Sequence, residues 1–228
     1  MFTGESFQID CAGLQVYNLT GITVTASYGK ATVSLEQAQK APVRQPLRDS
    51  KKRRQGLLRV EFEGFPAKES ISLEGSRVSR ISLEEDSLAT IADLSGGGGL
   101  FGVDPAPQVY ASVSDFEGGK LITLYSQVVF ENCTGLQLSV SVKDRERSTE
   151  ILLSGKEGAD GRLGGVPPHF LGSGHRPIVS VALNAKKAPP TVLSLELNNL
   201  KPQTSFAVRN QRFVLNGRVD FDKNLGIT

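Results

Sequence analysis

One stretch of this chain occurs twice without a gap. Displaced by 114 positions, residues 14–27 lie on residues 128–141, so that Asn18 meets Asn132, Thr20 meets Thr134 and Gly21 meets Gly135. Around them Leu14, Val16, Ile22, Val24 and Ala26 meet Val128, Phe130, Leu136, Leu138 and Val140. Downstream of each Gly the apolar and polar residues alternate strictly. Leu136, Leu138, Val140 and Val142 are apolar while Gln137, Ser139 and Ser141 are polar, the period of a strand with one buried face. Each copy therefore reads as strand, sharp turn, strand. The turn holds a Gly that takes positive φ without a Cβ clash, and Asn and Thr side chains that bond nearby backbone groups. An Asn at such a bend either staples the turn or contacts a ligand, and the sequence is compatible with both.

Two copies predict two units, and the rest of the chain suits β structure. Its 228 residues are 39% hydrophobic, with 24 Gly, no Trp and patterned segments built from Val, Ile, Leu, Thr and Ser. The predicted fold is all-β: two tandem antiparallel β-sandwich-like modules of ordinary domain size. Strands are expected at 57–63, 71–73, 78–83, 109–116, 120–130, 151–153, 178–183, 192–197, 206–209 and 213–221. Residues 35–41 suggest a short helical turn ending at Pro42, and 87–94 fit either a helix or a strand. The run Gly96-Gly-Gly-Gly99 followed by Pro105 and Pro107 is the strongest break, which places the division at 1–103 and 104–228. Residues 42–55 and 155–177 are expected to be a basic loop and a Gly/Pro loop.

Net charge excludes some functions. With 26 basic and 24 acidic residues the chain carries +2, so no global field recruits nucleic acid, and no aromatics interleave with the basic residues to stack on bases. The basic run Lys51, Lys52, Arg53 and Arg54 is a candidate contact for anionic lipid headgroups; as a solvated loop it is unremarkable. Cys11 and Cys133 do not occupy equivalent positions of the repeat and read as reduced thiols. The N-terminus lacks a basic segment followed by an apolar one, and no run of about 18 apolar residues exists, so neither secretion nor a membrane span is expected. The sequons at Asn18 and Asn132 then have no glycosylation route.

Catalytic chemistry is thinly represented. The only histidines, His169 and His175, sit in or beside the Gly/Pro loop and give no zinc spacing with two distant cysteines. There is no Gly-x-Ser-x-Gly elbow, the Gly run is not followed by the Lys-Ser/Thr of a phosphate loop, and Glu84-Glu85-Asp86 reads as a solvated turn. The expectation is a non-enzymatic protein with no metal and no cofactor.

The segment 118–138, Gly-Gly-Lys-Leu-Ile-Thr-Leu-Tyr-Ser-Gln-Val-Val-Phe-Glu-Asn-Cys-Thr-Gly-Leu-Gln-Leu, resembles the repeat signature of the adaptor-binding region of the vacuolar-protein-sorting-thirteen family, the bridge-like lipid-transfer proteins. Residues 14–22 are similar, and 58–65 with 69–74 resemble later strands of the same module; together they cover about a third of the chain. The resemblance implies an array of β modules that receives short proline-containing adaptor peptides and so places a lipid-transfer protein, peripherally and on the cytoplasmic side, at organelle membrane contact sites. It implies that the repeated Asn, here Asn18 and Asn132, is important to that region, and that this chain is a piece of a larger protein. The competing expectations are a tandem β-sandwich spacer without a ligand, and a module that binds membrane surfaces through its basic loop.

Overall fold

Alternation along the strands decides which residues face inward. The computed structural model describes residues 13–43, 56–83, 107–117, 119–155, 161–171, 177–183, 195–196, 205–209 and 214–218. Among these there is no α-helix; the one helical feature is a 3₁₀ turn at Pro168–Phe170. The fold is all-β.

The first unit is a sandwich of two sheets. One sheet takes β2 (Val24–Tyr28), β3 (Ala31–Leu35), β5 (Leu57–Phe62) and β6 (Lys68–Ser72) in the order β3-β2-β5-β6. The other takes β1 (Leu14–Leu19), β4 (Lys40–Val43), β7 (Arg77–Ser82), β8 (Gln108–Phe116) and β9 (Gly119–Ser126) in the order β4-β1-β9-β8-β7. Inward residues of both sheets form one core, including Val16, Val24, Leu58, Val60, Val109, Val113, Ile122 and Leu124. Each contributes roughly 1.5–3 kcal/mol of apolar burial. Most neighbours are antiparallel, but β1 pairs with β9 in parallel, Leu14 opposite Lys120 through Leu19 opposite Tyr125. A parallel pair needs a long crossover, here the whole of β2 to β8.

The second unit repeats part of this plan. Its four-stranded sheet orders β12 (Ser148–Leu153), β11 (Leu138–Lys143), β14 (Ile178–Leu183) and β15 (Leu195–Glu196) as β12-β11-β14-β15. Leu138 pairs with Leu153 and Leu183 just as Val24 pairs with Leu35 and Phe62. Facing it, β10 (Val129–Glu131) pairs antiparallel with β13 (Leu163–Gly165), as β1 does with β4. Its core joins Val128, Val140, Val142, Ile151, Leu153, Val166, Phe170 and Val179. A further hairpin joins β16 (Ser205–Arg209) to β17 (Val214–Arg218).

Three local expectations are corrected. The chain passes from the first core to the second between Leu124 and Val128 rather than at 103/104. The Gly/Pro-rich break lies inside the first unit, because β8 and β9 return across it to close the sheet beside β1. Residues 35–41 are not a helical turn: β3 ends at Leu35, the chain reverses at Gln37-Ala38 with Ala38 at φ 58, and Pro42 lies in β4. An edge strand tolerates a proline because its outward side needs no N–H donor. Part of the 155–177 loop is instead the strand β13 followed by the buried Val166, Pro167 and Pro168. The ambiguous segment 87–94 lies outside the described residues.

Candidate functional site

Asn18 stands at the end of β1 with a fully buried side chain. Its Nδ2 donates to the carbonyl oxygens of Ile22 at 2.7 Å, Leu35 at 2.9 Å and Glu36 at 3.2 Å. Its Oδ1 accepts from the Thr20 backbone N–H at 3.0 Å and the Thr20 hydroxyl at 2.7 Å. The Asn18 N–H donates to Gln39 and its carbonyl accepts from Ala38. One residue thereby joins the end of β1, the turn, the start of β2, the end of β3 and the β3–β4 connection.

Asn132, 1% exposed, repeats the set. Nδ2 donates to Leu136 at 2.6 Å, Leu153 at 3.2 Å and Ser154 at 3.1 Å, and Oδ1 accepts from the Thr134 N–H at 3.0 Å and hydroxyl at 2.8 Å. The Asn132 N–H donates to the Arg162 carbonyl as that of Asn18 donates to Gln39, while the Asn132 carbonyl accepts from the Arg162 side-chain Nε at 3.0 Å. A primary amide has two donor hydrogens and an oxygen with two lone pairs. Both amides spend all of this on their own unit, so the geometry is that of a turn staple. An Asp would turn a carboxylate oxygen toward three carbonyls, and a Gln would overshoot them.

The glycines complete the turns. Gly21 has φ +83 and Gly135 φ +71, a region that suits residues without a Cβ. Their surroundings differ. A Cβ on Gly21 would fall 2.5 Å from the Pro167 nitrogen and 2.6 Å from the Gly165 carbonyl oxygen, whereas one on Gly135 would meet nothing within 4 Å. Gly21→Ala is therefore expected to cost about 3 kcal/mol, and Gly135→Ala only about 1 kcal/mol of backbone strain. Urea denaturation of the two variants checks this, and equal losses would show that Pro167 yields to the added methyl.

The structure brings Asn18, Thr20 and Gly21 into one cluster and Asn132, Thr134 and Gly135 into another, as the repeat implies. It does not bring the two clusters into one site. Lys51, Lys52, Arg53 and Arg54 lie outside the described residues, as do Cys11 and His175. Cys133 is an exposed free thiol beside Asn132. The His169 ring stacks at 4.4 Å, tilted, on Phe170, which is buried in the second core. Among the described residues no group of three His, Cys, Asp or Glu is placed to hold a metal ion, and no helix is long and apolar enough to cross a membrane.

Sequence reasoning missed Gly165 and Pro167. A Cβ on Gly165 would collide with the Leu19 carbonyl oxygen, so the β13 strand end abuts the first Asn turn, main chain against main chain. Beside it the Ser126 hydroxyl donates to the Val166 carbonyl and the Val166 N–H donates to Val128 at 2.9 Å. The available signal was Gly164-Gly165 running directly into Val166-Pro167-Pro168, a composition that describes a loop equally well. No protein-family model matches the chain, and neither does any curated protein.

Proposed function

We propose that this chain is the peptide-docking β-repeat region of a lipid-transfer protein similar to the vacuolar-protein-sorting-thirteen family, a non-enzymatic module that receives proline-containing adaptor peptides and thereby places its protein at membrane contact sites. One observation carries the reading: the Asn-x-Thr-Gly staple on which the resemblance rests recurs with the same five hydrogen bonds beside two four-stranded sheets of matching strand order. Such staples stiffen the ends of strands. Stiff strand ends and open sheet edges suit the capture of an extended peptide, whose main chain adds to an edge while its side chains are read by flanking residues.

In this reading the Asn holds the docking surface in shape and does not touch the peptide. Fluorescence anisotropy with a panel of Pro-x-Pro peptides tests it, the expected outcome being saturable binding at roughly micromolar Kd. A chain folded by circular dichroism that binds none of the panel would defeat the proposal. The backbone-to-backbone seam at Gly21 and Gly165 favours a second reading, a rigid spacer, and that same negative result would leave it standing.

A further inference from the structure

Where the two units meet, one buried side-chain amide among the described residues has no partner. Gln37 lies in the β3–β4 connection, and the nitrogen and oxygen of its amide are both unbonded and too enclosed for a water molecule to reach. The amide rests on the second unit. Its Nε2 is 3.5 Å from where a Cβ of Gly164 in β13 would be, and the other neighbours of that point are methyl carbons of Ile151 and Leu153, which offer no hydrogen bond.

The main chain holds Gln37 in this place. The Ala38 N–H donates to the Asn18 carbonyl at 2.8 Å, that of Gln39 to Glu36 at 3.2 Å, and that of Asn18 to Gln39 at 3.0 Å. Ala38 adds strain of its own, standing at φ 58 without being glycine. The counterpart of Gln37 in the repeat is Gly155, because Asn18 bonds the carbonyls of Leu35 and Glu36 as Asn132 bonds those of Leu153 and Ser154. Gly155 has no side chain to bury and packs its main chain on its own turn, at Gly135 and Leu136. The unpaired amide therefore belongs to the first unit alone, whose turn meets the second unit.

A buried amide without a partner disfavours the arrangement that buries it, since water satisfies it as soon as it is exposed. The rest of the seam is main chain against main chain at Gly21, Gly165 and Pro167, with the Ser126 hydroxyl donating across it to the Val166 carbonyl. The two cores share no residue, so parting the units leaves both cores whole. We propose that the seam is a joint: the units part rarely and briefly, each still folded, about the chain between Leu124 and Val128, and Gln37 is the residue that biases the seam toward opening. This stands apart from the docking reading, and it weighs against a rigid spacer.

The test uses the full chain with Cys11→Ser, Cys133→Ser and Ser126→Cys, which leaves one thiol at a position 0% exposed beneath Val166. Its alkylation by iodoacetamide is followed by mass spectrometry at increasing urea, once with Gln37 and once with Gln37→Met, which keeps the length of the side chain and removes the amide. With Gln37, the rate is expected to rise with urea along a slope below about half that of global unfolding measured by circular dichroism. Gln37→Met is expected to slow alkylation about tenfold. In the otherwise unaltered chain the same substitution is expected to raise the melting temperature. A slope equal to that of global unfolding overturns the joint, because the thiol is then reached only when the cores unfold. An unchanged or faster rate in Gln37→Met overturns the proposal as well, and so does a lower melting temperature for Gln37→Met alone.

Discussion

Asn132→Ala is expected to lower stability by about 3 kcal/mol, a drop of roughly 6–12 °C in melting temperature for a chain of this size. The loss is large because the substitution removes five hydrogen bonds and leaves their partners unpaired, the buried Leu153 carbonyl among them. The carbonyls of Leu136, Leu153 and Ser154 lose their shared donor, and the Thr134 N–H and hydroxyl lose their acceptor. Thr134→Val removes the hydroxyl's bond to Asn132 and its two longer bonds to the Leu136 main chain, and is expected to cost about 1 kcal/mol. Equal melting temperatures for Asn132→Ala and wild type would refute the staple. The Asp variant gives a sharper test, because it sets a carboxylate oxygen before three carbonyls in a buried site. That arrangement favours the protonated acid and raises its folded pKa above the unfolded value of about 3.9. The variant's stability is then fully present below about pH 4 and is lost as pH rises through the raised folded pKa. Asn132→Asp should therefore melt closest to wild type near pH 4 and furthest from it at pH 7. A gap from wild type that does not change with pH would contradict this.

Gly165→Val is expected to cost about 3 kcal/mol or more, through collision rather than lost bonding. Its Cβ meets the Leu19 carbonyl oxygen, and Leu19 is held in β1 beside β9, so neither backbone has room to retreat. The neighbouring Gly164 is the control. A Cβ there would fall 2.3 Å from the Ile151 Cγ2 and 2.8 Å from the Leu153 Cδ2, side-chain rather than main-chain atoms, so Gly164→Ala is expected to cost less than Gly165→Val, about 2 kcal/mol. Differential scanning calorimetry reads both, and a Gly165→Val melting temperature within about 2 °C of wild type would mean that the seam between the units is soft.

How much of this was legible differs from residue to residue. The strict alternation at 136–142 placed Leu136, Leu138, Val140 and Val142 on one inward face; the structure buries the last three and leaves Leu136 49% exposed. The Asn-x-Thr-Gly turn was legible too, because Asn18 and Thr20 bond over a separation of only two residues. The remaining partners were not. Leu35 and Glu36 lie 17 and 18 residues from Asn18, and Leu153 and Ser154 lie 21 and 22 from Asn132, distances at which no local rule pairs a side chain with a carbonyl. Glycine misled in both directions. The break at 96–99 marked a division between units that the strand pairing does not make, while Gly164 and Gly165, read as loop, became a buried strand.

By itself the sequence determined the all-β class, most strand positions, the doubled turn and the residue types inside it. These follow from short-range physics: side-chain periodicity, glycine's access to positive φ, and the reach of an Asn side chain. The tertiary structure alone decided that β9 lies parallel to β1, that the second core begins at Val128, and that Gly165 and Pro167 close over the first Asn turn. Those outcomes depend on contacts between segments far apart in the chain, where the missing Cβ of one residue matters only because another backbone has arrived beside it.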